Sequence, residues 1–424
     1  MSKSATVPVV AGLFFPRSKV LGLDVDYDYS PTALKKVTYA GTQAASFPQG
    51  SRDLKELAVL EVSSERLRRA TERIGDERVA ERDAQAAAYE AVPIPERRKA
   101  SADQTIPAVA CVQMDGGRLQ VFDRQEPERN EDDTFWREMK VGCLWSMTSE
   151  VSPEDPCPQL PASFVDPERM RRIVREIKGF SGSEACADDA ADEPRVDERP
   201  SRPEPLARSV VASRHGVETF GKLLVSEAHQ RRFAVAPRRA FVADGSDANW
   251  GVWRRHFSDY EPIVDFIHAL TYVYAAAMTG RALKEGWQAY RQWAQWLWGG
   301  HVDRVIAALE FRQRELGEPT PEIAKTAPAA VVATSLGYLR NQQSRMRYPE
   351  YRKQGLPITS TYVESTVKQI NRRMKGTEKF WSRGVEAMLT LVADHLSDTP
   401  TLARFWRNRP HRLTGSRCDR QVAA

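Results

Sequence analysis

The chain has 424 residues, enough for two or three domains, at least one with a sizeable core. Charged residues make up 28% and hydrophobic ones 41%, the balance of a soluble globular protein, and no run of about 18 apolar residues exists to span a membrane. A net charge of +5 is too small to identify a nucleic-acid binder, so the distribution of charge matters more.

The N-terminal tail, 1–29, opens on MSKSATVPVVAGLFF, which lacks the basic start, long apolar core and cleavage site of a signal peptide. The expected location is therefore the cytoplasm. Residues 30–92 read as helical, within a region expected to extend to about 100. Leu54, Leu57, Leu60, Leu67 and Ile74 recur near helical spacing, and Ser63-Ser64-x-x-Leu67 offers an N-cap before a helix carrying Arg66, Arg68, Arg69 and Arg73. A short helix, a turn and an Arg-rich helix is the order of a helix-turn-helix DNA reader, and equally of a plain helical bundle.

The texture changes near Thr105. In IPAVACVQMDGGRLQVFD, two apolar runs flank Asp-Gly-Gly and predict a hairpin. A strand is expected over Glu138 to Met147, a flexible acidic insertion at about 183–205, and a helix from Leu206 to Val225. Arg239 to Ala243 predicts a strand ending at Asp244-Gly245, and Ile263-Val264 another before a helix that opens at His268. This alternation is a mixed α/β order over 101–280. Residues 281–345 read as helical, with Trp287, Tyr290, Trp293, Trp296 and Leu297 as a stripe that predicts core packing rather than base stacking. From Leu339 to Lys375 the chain is strongly basic, suited to following a phosphate backbone by charge attraction or to forming a solvated face. The cysteines Cys111, Cys143, Cys157, Cys186 and Cys418 are scattered without a CxxC pair, so they read as ordinary thiols rather than zinc ligands.

Three acids stand out. Asp115 follows the apolar run VACVQM, and Asp244 follows RAFVA; each precedes glycine, which suits both a tight turn and a strand end open to a substrate. Glu364 falls in the first turn of a helix whose apolar side is Val363, Val367, Ile370 and Met374. Lys368, Asn371 and Lys375 share its other face. Thr361-x-x-Glu364 also fits a capping box, and Glu364 with Lys368 fits a surface pair worth about 0.3–0.5 kcal/mol. Phosphodiester cleavage gives a reason for three acids, because two hard cations about 4 Å apart neutralise the reacting phosphoryl group and prefer carboxylate ligands.

MDGG, VADGSDANW, DFIHAL and above all GLPITSTYVESTVKQINRRMKGTEKFWSRGVEAMLTL resemble the ISKra-type DDE transposases of bacterial insertion sequences, a likeness running from about Phe14 to about Arg412. The resemblance implies an RNase H-like core, completed by 346–412 after a helical insertion at 281–345 and followed by a C-terminal tail at 413–424. It implies two Mg²⁺ or Mn²⁺ ions, with Asp115, Asp244 and Glu364 as the catalytic and metal-binding acids. Asp265-Phe-Ile-His268 resembles an Asp-x-x-His signature, with His268 contacting the scissile phosphate or buttressing the site. Lys368, Asn371, Arg372, Arg373 and Lys375 are the expected DNA-binding residues. Double-stranded DNA, as element ends and target, is the expected partner, with a homodimer on DNA by family analogy. Relatives commonly carry cysteine pairs before the Phe-Phe-Pro stretch. This chain has no cysteine before Cys111, so a truncated frame, a DNA-binding protein without catalytic activity and a cellular nuclease of the same fold stand as alternatives.

Overall fold

A computed structural model describes residues 29–99, 106–122, 135–178, 203–320, 323–376, 381 and 384–409. The backbone divides into two compact units. The first holds the described residues within Met1–Glu81 and Ile370–Ala424, with Phe122; the second holds those within Arg82–Val121 and Asn130–Gln369.

The first unit is helical. Helix α1 (Pro31–Gln43) starts at Ser30 and α2 (Phe47–Ala58) at Ser46; each serine caps with its side chain, and each helix carries proline in its first turn. Helix α3 (Ser64–Ala91) begins after Ser63, whose hydroxyl accepts from the Arg66 N–H as the sequence predicts. Leu34, Val37, Leu54, Leu67 and Ile74 form the core with Leu391 and Phe405, which a later helix, α13 (Val385–His395), and the stretch 401–409 contribute.

The second unit is built on a five-stranded sheet. Its strands are β1 (Val109–Gln120), β2 (Trp136–Thr148), β3 (Glu204–Ser213), β4 (Arg238–Ala243) and β5 (Glu261–Val264). They lie in the order β3-β2-β1-β4-β5, with β1–β2 and β2–β3 antiparallel and β1–β4 and β4–β5 parallel. Helix α4 (Pro167–Lys178) lies between β2 and β3 in the chain, α5 (Val217–Gln230) follows β3, and α6 (Asp247–His256) follows β4. Then come α7 (Phe266–Met278), α8 (Leu283–Trp298), α9 (Val302–Leu316), α10 (Pro328–Gln342), the short α11 (Tyr348–Lys353) and α12 (Thr361–Met374). Alternating side chains put the two sheet faces to different use: Gly142 faces Leu224 of α5, while Gly117 faces Val367 of α12. No helix among the described residues is long and apolar enough to cross a membrane.

Two local expectations are overturned. The Asp115-Gly116-Gly117 stretch is not a hairpin. It continues as extended strand, paired residue by residue with Val141, Lys140 and Met139. Neither glycine needs a positive φ; what Gly117 supplies is room, since a Cβ there would come within 2.5 Å of the Met139 side chain. The expected helix from Leu206 to Val225 is half strand, because β3 runs to Ser213 before α5 begins at Val217. Val210, Val211 and Ala212 are β-branched or small residues buried against β2, and tertiary pairing there outweighs the apparent helical run. The acidic insertion lies outside the described residues except at its end, where Glu204 and Pro205 already belong to β3. On α8, Tyr290, Trp293 and Leu297 are buried while Trp287 and Trp296 are half-buried, so the aromatic stripe is packing surface as expected.

Candidate metal centre at the strand ends

Three aspartates follow three adjacent parallel strands in register. Met114 pairs with Ala243 and Ala243 with Val264, so the next residues, Asp115, Asp244 and Asp265, stand side by side at one edge of the sheet. Neighbouring strands lie about 4.8 Å apart, which sets the spacing of the backbones. Asp115 occurs where parallel pairing with β4 stops, although β1 itself continues beside β2.

Each aspartate is anchored differently. Asp115 Oδ1 accepts from the Gly116 N–H at 2.7 Å. Asp244 Oδ1 accepts from the Ser246 N–H and the Asn249 amide, both at 2.9 Å. Among the described residues no donor reaches Oδ2 of either aspartate, so one oxygen of each carboxylate is left for another ligand. Asp265 is fully buried and has no such oxygen. Its Oδ1 accepts from the His268 N–H at 2.7 Å as the N-cap of α7, and its Oδ2 accepts from both the N–H and the hydroxyl of Ser360.

Glu364 reaches the same place from α12. The helix begins directly after Ser360, so Thr361 lies inside its first turn and the capping box expected between Thr361 and Glu364 does not form. Nor does Glu364 pair with Lys368, which bonds Glu176 at 2.8 Å. Instead its Oε1 lies 3.3 Å from the Ser360 hydroxyl and 3.7 Å from His268 Nδ1. Ligand atoms of Asp265, His268 and Glu364 all fall within 4.8 Å of one another. His268 Nδ1 is 3.4 Å from Asp265 Oδ1, a charge contact without hydrogen-bond alignment, and it is buried with no hydrogen-bond partner.

The electrostatics tie the acids together. Burial, then the charge of Asp265 and more weakly that of Asp115, pushes Glu364 up to about 7 against the pull of His268. Asp115 is raised by burial and by the charges of Asp244 and Asp265. Burial opposes the charged form of His268, but Asp265, Glu364 and Asp244 outweigh it and raise the imidazole to about 9. Asp115, Asp244, Asp265, His268 and Glu364 therefore make one electrostatic cluster.

Five supporting residues belong to no motif in the sequence. Gln113, wholly buried two residues before Asp115, donates to the Thr359 carbonyl at 3.0 Å and accepts from the Val363 N–H at 3.2 Å, pinning the start of α12 on which Glu364 stands. Asn249 bridges Asp244 and the Met114 carbonyl. Tyr338 and Gln342 of α10 donate to the carbonyls of Asp244 and Gly245 at 2.8 and 2.9 Å. The fifth, Ser360, gives its N–H and hydroxyl to Asp265, and the same hydroxyl lies 3.3 Å from Glu364 Oε1. Only Asn249 had a local signal, sitting three residues after the Ser246 N-cap of α6.

The expected DNA-binding residues divide. Arg372 and Lys375 are exposed, and Lys368 is exposed but paired. Asn371 keeps a buried side-chain oxygen without a hydrogen bond. Arg373 is a correction: it is 6% exposed, and its guanidinium donates to the Gly41 carbonyl, which leaves it no face for a phosphate. In the N-terminal helices, Arg68, Arg69 and Arg73 pair with Glu65, Glu72 or Glu77 of their own helix.

No protein-family model matches the chain, and no curated protein matches it significantly.

Proposed function

We propose that the protein cuts and joins DNA as a metal-dependent transposase of the DDE type, with an RNase H-like core and double-stranded DNA as substrate. The observation that carries the reading is the strand register that sets Asp115 beside Asp244, with Glu364, far away in sequence, near enough for the charge of Asp115 to raise it. The strand order, three antiparallel strands continued by two parallel ones, supports the RNase H-like core.

The donor chemistry fits Mg²⁺ or Mn²⁺. Asp115 and Asp244 each keep an oxygen without a protein donor, and Glu364 adds a third carboxylate, an oxygen set suited to hard cations. Asp265 is a positioning residue, since its oxygens are occupied by His268 and Ser360. Two such ions, when bound, supply charge at the attacking and leaving oxygens of an in-line displacement. The side chains of Asp115, Asp244 and Glu364 would hold them, Gln113 fixes the start of the helix that carries Glu364, and His268, ion-paired through Nδ1 with Asp265 and Glu364, buttresses the site. Water attack at the element end frees a 3′-OH, which then attacks target DNA without a covalent enzyme intermediate.

The deciding experiment is a strand-transfer assay with Mn²⁺ on the DNA ends that flank the gene. Activity in the wild type that disappears in Asp115→Ala and Glu364→Ala, with DNA binding retained, supports the reading. An inactive wild type that still binds those ends leaves a DNA-binding protein and overturns it.

A further inference from the structure

A second polar cavity lies at the other end of the parallel strands. Ala234, before β4, and Asp259 and Tyr260, before β5, line it with Arg97, Arg98 and His229; its volume is about 190 Å³. The six residues of β4 separate it from Asp244 by about 20 Å of strand.

Charge around this cavity does not balance. Asp259 alone answers two guanidinium groups, since one of its oxygens lies 3.2 Å from Arg98 and 3.0 Å from Arg239. Arg255 is matched by Glu218 and Lys222 by Glu90. Arg97 has no carboxylate. It donates to the Val92 and Glu90 carbonyls at 2.9 Å and lies over the Tyr89 ring. For Arg97, Arg98 and Arg239 together, Asp259 is the one carboxylate partner among the described residues, so positive charge is in excess. Burial first, and neighbouring cations second, hold His229 and His256 below their ordinary range, as a positive surrounding requires. Tyr260 is 5% exposed and lines the cavity. A tyrosine hydroxyl beside guanidinium groups that outnumber their carboxylate matches the acceptor oxygens and charge of a phosphate monoester.

We infer that this cavity binds a phosphate monoester group, held by Arg97, Arg98 and the Tyr260 hydroxyl. The site is independent of the strand-end acids, and the group comes either from a free small phosphate or from the 5′-phosphate of a DNA end.

Titration calorimetry of the full chain with inorganic phosphate, in EDTA and low salt, tests it. Saturable binding is expected, weakened about tenfold or more by Arg97→Gln and by Tyr260→Phe, each removing one hydrogen bond to an ionised ligand. Asp115→Asn leaves it unchanged. Competition by a 5′-phosphorylated oligonucleotide but not by its 5′-hydroxyl counterpart assigns the group to a DNA end; competition by thymidine monophosphate alone assigns it to a free phosphate. No saturable binding below ~10 mM, or binding indifferent to both substitutions in folded variants, overturns the inference. Tyr260→Phe keeps the ring packed on Phe257, so loss of folding does not obscure the result.

Discussion

Ser360 gives both of its donors to Asp265: its backbone N–H and its hydroxyl, the latter at 2.6 Å, meet on one carboxylate oxygen. With His268 N–H on the other oxygen, a wholly buried charge is fully met by the protein. Removing the carboxylate strands three buried donors. Asp265→Ala is therefore expected to cost about 3 kcal/mol or more, and Ser360→Ala about 1 kcal/mol. Urea unfolding midpoints check this, and equal costs for the two would contradict the division of labour.

Asp115 has the opposite balance. Asp115 is raised by burial and by two neighbouring carboxylates, so in metal-free protein its charge is destabilising. Asp115→Asn is expected to gain about 1 kcal/mol without divalent cation. Adding Mn²⁺ should then stabilise the wild type and leave the variant almost unmoved. Thermal melts with and without Mn²⁺ give the comparison, and an Asn variant less stable than metal-free wild type would refute it.

Much of the fold was legible in the sequence because period-two and helical patterns are local. Arg239 to Ala243 reads as strand and is strand, and the Ser63 cap starts its helix. β3 was not legible, since Ala207 to Val211 shows its character only when paired on β2. Asp115-Gly-Gly was misleading because Asp-Gly favours turns unless a neighbouring strand holds it extended, as β2 does. The three acids were visible, but their anchors were not. Gln113 sits 250 residues from Val363, the partner it accepts from. No local pattern encodes that contact.

In the helical unit, α3 and α13 come closest at Gly75, beside the ion pair of Arg78 with Asp394. A Cβ on Gly75 would stand 2.6 Å from the Ala387 Cβ and 2.7 Å from its carbonyl oxygen. Backbone cannot move aside as a flexible side chain would. Gly75→Ala is expected to destabilise by about 2–3 kcal/mol despite its better helix propensity. A melting temperature equal to or above that of the wild type would show that the helices separate freely.

Burial holds His395 of the same unit below its ordinary range, with Nδ1 2.8 Å from the Leu391 carbonyl. The folded state then binds fewer protons than the unfolded state. Stability from this group is present above about pH 6.5 and is lost as pH falls through the depressed folded value. Between pH 7.5 and 5.5 the melting temperature should fall more steeply in the wild type than in His395→Gln. Parallel slopes would remove His395 from the account.

The basic stretch from Leu339 to Lys375 holds nine arginines and lysines, and four of them are paired with carboxylates. Arg340 bonds Glu310, Arg347 bonds Glu261, Arg352 bonds Asp155 and Lys368 bonds Glu176. A cation that is neutralised inside the protein displaces no counterion when DNA arrives. The four ion-paired cations should therefore add almost nothing to the slope of log affinity against log salt, where four open cations would give about −3.6. Changing Arg340 and Arg347 together to Gln should leave that slope intact, and a slope shallower by about 2 would refute it.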